Sequence, residues 1–141
     1  MKTFAVLNIF FVLFFTAAKA DKVSLNAFGN RVSFSGEFGS EKLSVNGKIM
    51  IEAGHVDLEE MVLHAGVPIM IGSTSPGGNY CDSSPFVLSF PKDSPPRLDG
   101  PIDTCRAPTY KIEPDRIIFM STATPFFPGQ EWIWTLADGF S

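Results

Sequence analysis

Along most of the chain apolar and polar side chains alternate with a period of two, the mark of strands that bury one face. Val23, Leu25 and Ala27 alternate with polar neighbours, and Val32, Phe34 and Phe38 follow after Gly29-Asn30, which reads as a hairpin. Leu43 and Val45 lead into Asn46-Gly47, and Ile49 and Ile51 lead out. Asn-Gly is the strongest two-residue hairpin signal, because both central positions of a type I′ turn need positive φ. The first third therefore predicts a four-stranded meander.

Residues 55–71 carry two readings. Asp57 to His64 fits two helical turns, and it fits equally a strand passing from an exposed to a buried setting. Gly66 and Pro68 keep any helix short, and the β-rich surroundings favour the strand. Val67 to Ile71 reads as a short buried strand, with Pro68 at its start, where the missing donor does least harm. Phe86, Leu88 and Phe90 mark a further strand. Tyr110 and Ile112 pair with Ile117 and Phe119 around Pro114-Asp115, and Trp132, Trp134 and Leu136 form a closing strand that Gly139 ends. About eight short strands between turn signals predict an all-β domain, a single small antiparallel β-sandwich or flattened β-barrel.

The first residues stand outside this pattern. Lys2 is followed by an apolar run from Phe4 to Ala17, and then by Ala18-Lys19-Ala20. A positive start, a short apolar stretch and small residues at the cleavage positions make a signal peptide over 1–20, cut after Ala20. Residues 21–141 are then a single β-rich domain, periplasmic or secreted, with no membrane span in the mature chain. In an oxidising compartment Cys81 and Cys105 are expected to form one structural disulfide, contributing roughly 3–4 kcal/mol in the chain-entropy picture. The net charge is −4 before the leader is removed, and removal takes two lysines with it. An acidic chain argues against partners held chiefly by its Lys and Arg, so neither nucleic acid nor an anionic membrane surface is expected.

Chemistry-bearing motifs are few. There is no phosphate loop, no G-x-G-x-x-G and no G-x-S-x-G elbow, and no cofactor is implied. On a strand, His55, Asp57 and Glu59 would share one face and offer an imidazole and two carboxylates to a metal, with His64 as a further candidate. On a helix, Glu60 and His64 would share a face instead. The alternative to a site is a solvated acidic edge. Two features suit binding better. The proline-rich stretch 91–108 presents Arg97 and Leu98, and a proline-stiffened loop loses little entropy on association. Pro125-Phe126-Phe127-Pro128 places two adjacent phenylalanines on a turn, where both cannot easily face the core.

The function expected from these residues is an exported, non-enzymatic binding module for another protein, inhibitor- or immunity-like in kind. A small metal-dependent or hydrolytic enzyme using His55, Asp57 and Glu59 is the alternative, and a structural envelope component the third reading.

Overall fold

A computed structural model describes residues 23–77, 83–104 and 106–141. The expected signal peptide, and Cys81 and Cys105 of the expected disulfide, lie outside the described residues. Among those described there is no helix, and so none long and apolar enough to cross a membrane.

Among the described residues twelve strands form three four-stranded antiparallel sheets, each a run of consecutive strands in chain order. Sheet one holds β1 (Val23–Ala27), β2 (Asn30–Glu37), β3 (Ser40–Val45) and β4 (Lys48–Ala53). Sheet two holds β5 (His55–His64), β6 (Val67–Ser75), β7 (Ser84–Ser89) and β8 (Arg97–Asp99). Sheet three holds β9 (Thr109–Ile112), β10 (Ile117–Ser121), β11 (Gln130–Thr135) and β12 (Gly139–Phe140). The count exceeds the expected eight partly because β8 and β12 are too short to show alternation. Gly139 opens β12, opposite Thr135, and does not end a strand.

The core explains the layering. Val32, Phe34, Leu43, Val45 and Ile51 of sheet one cluster with Val56, Met70, Phe86 and Leu88 of sheet two. Ile69, Ile71 and Val87, the alternate residues of the same central strands, cluster with Ile117, Phe119 and Trp134 of sheet three. Sheet two is thus covered on both faces. This accounts for the unbroken apolar triplets Ile69-Met70-Ile71 and Phe86-Val87-Leu88, since a strand buried on both sides has no reason to alternate.

Local chemistry sets the registers. The β3–β4 turn places Asn46 at φ 51° and Gly47 at φ 82°, as the type I′ turn requires. Asn46 also reaches the neighbouring hairpin: its Oδ1 accepts the Arg31 N–H at 2.9 Å and its Nδ2 donates to Asn30 Oδ1 at 2.9 Å. The first hairpin turns on Phe28-Gly29, with Ala27 opposite Asn30, one residue earlier than the Gly29-Asn30 turn expected. The segment 55–64 is a strand, with a register shift between Leu58 and Glu60 that leaves Glu59 without a partner.

Replacing Gly47 by valine forces a β-branched side chain into the left-handed region, at about 1–2 kcal/mol. We expect the melting temperature to fall by several degrees; an unchanged value would show that the turn does not hold this hairpin.

Candidate functional site

The residues capable of chemistry sit where the sheets meet. Glu41 on β3 occupies the inward side of its strand, in line with Leu43 and Val45, and is only 4% exposed. Its Oε2 accepts the backbone N–H of Val56 on β5 at 2.8 Å. His55 lies between two carboxylates, with Nδ1 2.9 Å from Glu41 Oε2 and Nε2 2.7 Å from Asp57 Oδ2. Nδ1 is buried and makes no directed hydrogen bond, so its approach to Glu41 is a close polar contact off the hydrogen-bonding direction.

This arrangement bears on both chemistries considered for His55. Each ring nitrogen already faces a carboxylate, which leaves neither directed at a nucleophile. Two ligands of one tetrahedral zinc ion stand about 3.4 Å apart, wider than the 2.7 Å between His55 and Asp57. The β5 bulge separates the remaining candidates. Val56 and Leu58, before it, pack against the sheet-one core, whereas Glu60, Val62 and His64, after it, face sheet three. Glu59 is therefore not simply the next residue on the His55 and Asp57 side, and His64 is buried against the Trp134 ring with centroids 5.5 Å apart. Among the described residues no group of three His, Cys, Asp or Glu is placed to hold a metal ion.

Arg97 and Leu98 belong to strand β8 and not to a free loop. Leu98 is paired with Leu88 and packs against the first core cluster. The Arg97 guanidinium donates to Asp99 Oδ2 from Nε at 3.0 Å and from Nη2 at 2.8 Å. The same oxygen accepts the Trp134 indole N–H at 2.9 Å. Asp99 thereby ties the edge of sheet two to β11, and Arg97 is committed to that tie.

Phe126 and Phe127 are different. They form the tip of the β10–β11 hairpin and are 87% and 57% exposed. Thr124 and Phe127 close the tip as an isolated antiparallel bridge, N–H to O=C at 2.8 Å in one direction and 3.2 Å in the other. The Arg106 guanidinium carbon lies 4.5 Å from the centre of the Phe127 ring, within cation–π range. Arg106 is held in place by Thr104, whose Oγ1 is 2.7 Å from Ser83 O and 2.8 Å from Arg106 O. Sequence reasoning singled out the two phenylalanines and missed Arg106, which is distant in sequence and follows an irregular stretch. Glu41 was also missed, though it has a signal: it is the one charge in the inward register Glu41-Leu43-Val45.

A further tie joins sheets two and three. The Tyr110 hydroxyl donates to Glu60 Oε2 at 2.7 Å. Burial, then that hydrogen bond, then the charges of Glu60 and Glu59 push the Tyr110 ionisation up to about 12 from 10.0. The folded state holds this proton more tightly than the unfolded chain. The associated stability is therefore complete below pH 10 and lost as pH rises through about 12.

Two comparisons with known proteins match this chain. The family profile described as the Y4bG N-terminal domain matches residues 28–141. Over 112 residues the chain is 37% identical to "Uncharacterized protein y4bG" of Sinorhizobium fredii (strain NBRC 101917 / NGR234), an alignment covering 79% of this chain and 41% of that protein. The chain thus spans less than half the length of the curated relative it matches. No solved structure matches.

In a Tyr80→Phe background, absorbance titration should show Tyr110 ionising near pH 12. Glu60→Gln should bring it down towards 10 without reaching it, because burial persists. No movement on that substitution would mean the carboxylate does not govern the phenol.

Proposed function

The chain belongs to the Y4bG N-terminal domain family, and on that premise we propose that it is an exported, non-enzymatic binding module whose contact surface is the Phe126–Phe127 tip. The observation that carries this reading is the exposure of two adjacent phenylalanines on a hairpin whose backbone is already fixed. Large exposed apolar groups lose free energy in water and recover it only against a receiving surface. A tip ordered in advance gives up little entropy when it docks. A protein with an apolar cleft and the outer layer of a bilayer both reward such a tip.

The remaining parts of the reading fit an exported protein. Residues 1–20 have the composition of a cleavable leader, and cleavage after Ala20 delivers residues 21–141 to the periplasm or the medium. There Cys81 and Cys105 would join as a disulfide, stapling the long connections on either side of β7 and β8 within a stack of sandwiched sheets.

Affinity capture from the proteins and membranes of the producing cells tests the surface. Wild-type protein should retain a component that the Phe126→Ser/Phe127→Ser variant loses. Arg97→Ala should retain it, since Arg97 is engaged by Asp99. Undiminished capture by the double variant would remove the tip from the interface. The disulfide has its own check. Reduction should cost about 3–4 kcal/mol and lower the melting temperature, and free thiols in native, unreduced protein would exclude the bridge.

A further inference from the structure

We propose that Asn46 is a site of spontaneous deamidation, shielded by its hydrogen bonds to β2 and released to react when those bonds open.

The chemistry needs only the chain and water. The Gly47 nitrogen attacks Asn46 Cγ and gives up its proton to solvent. The N–Cγ bond forms, the Cγ–Nδ2 bond breaks, and Nδ2 takes a proton from water to leave as ammonia. A five-membered imide results. Water then adds to one of its two carbonyls, and ring opening leaves either aspartate or isoaspartate at position 46.

Two observations mark this residue for the reaction. Asn46 is the one asparagine of the sequence that precedes a glycine, whose nitrogen has no Cβ beside it to hinder attack. Both residues are exposed, and no atom beyond the chain neighbours lies within 4 Å of where a Gly47 Cβ would stand. Solvent therefore reaches the turn freely.

The native fold opposes the step. Asn46 grips Arg31 twice, giving its backbone N–H to Arg31 O at 2.8 Å and accepting the Arg31 N–H on Oδ1 at 2.9 Å. Nδ2, the leaving nitrogen, donates to Asn30 Oδ1 at 2.9 Å. The carboxamide is thus fixed at both ends against β2. Ring closure requires Cγ to reach bonding distance of the Gly47 nitrogen in an orientation that allows attack, and a doubly held amide is not free to turn to it. Each bond that must first open slows the step about two- to tenfold. The opening involves only the two neighbouring turns, so it precedes global unfolding.

Reaction then loosens the first sheet irreversibly. Aspartate no longer supplies the N–H that Asn30 accepts. Isoaspartate lengthens the main chain inside a two-residue turn that sets Val45 opposite Lys48.

The test uses the protein as isolated from its producing cells, incubated at mildly alkaline pH with and without urea. Tryptic cleavage after Lys42 and Lys48 releases residues 43–48, in which Asn46 carries the only side-chain amide. Mass spectrometry of that peptide reads the exchange of amide for carboxyl. The unfolded chain should react at Asn46 about tenfold or more faster than the folded one. Asn30→Ala removes the acceptor of Nδ2 and should speed the folded reaction about two- to tenfold, whereas Asn30→Asp keeps an acceptor and should not. Ile117→Val thins the sheet-three core and lowers the melting temperature, yet should leave the folded rate unchanged. Folded wild type reacting as fast as the unfolded chain, or Asn30→Ala reacting no faster than wild type, would overturn the shielding. Equal acceleration by Ile117→Val would mean that only global unfolding opens the turn, which would overturn local release. No reaction in the unfolded chain would overturn the site itself.

Discussion

Everything else in this protein depends on burying the central sheet on both faces. Each fully buried Ile, Val, Leu, Met or Phe contributes about 1.5–3 kcal/mol relative to exposure, and β6 and β7 carry such residues on both sides. The outer sheets have one apolar face each, and neither can bury it without the centre. The fold is therefore a mutual arrangement: removing either outer sheet uncovers half of the middle one.

Apolar contact alone does not fix how layers are set against one another, and here three carboxylates supply the direction. Glu41 reaches from sheet one to the Val56 N–H, Asp99 from sheet two to the Trp134 indole, and Glu60 from sheet two to the Tyr110 hydroxyl. Each accepts a hydrogen bond from the neighbouring layer, where a displaced sheet would leave a buried or partly buried polar group unpaired. The same three account for most of the candidate chemistry. His55, Arg97 and Tyr110 all engage one of these carboxylates, which leaves the exposed aromatic tip among the features that the apolar core does not employ.

Much of the first third was legible in sequence because its strands obey the simplest rule, one face in and one face out, between turns with distinctive chemistry. Asn46-Gly47 announced its hairpin. The layering was not legible, because Ile69-Met70-Ile71 says that a strand is buried without saying what lies on either side. The His55, Asp57 and Glu59 grouping failed as a shared face for a related reason. Alternation assumes an unbroken ladder, and the register shift at Glu59 exchanges the faces of β5 midway. Phe126 and Phe127 were legible as a pair on a turn. Their cationic neighbour Arg106 was not, since only tertiary structure brings it to them.

The strict chain order of the sheets has a consequence for how the molecule assembles as it is made. Among the described residues every ladder joins strands that follow one another in sequence, so none of these pairings has to wait for a distant strand. Hydrogen-bonded ribbons can close in the order in which they leave the ribosome. The first sheet is nevertheless complete by Ala53, while β6 and β7, which cover its apolar face, emerge afterwards. During that interval the nascent chain presents a finished, greasy ribbon, and its polar outer row, Ser24, Ser33 and Ser44 set side by side across β1 to β3, is the side that tolerates water.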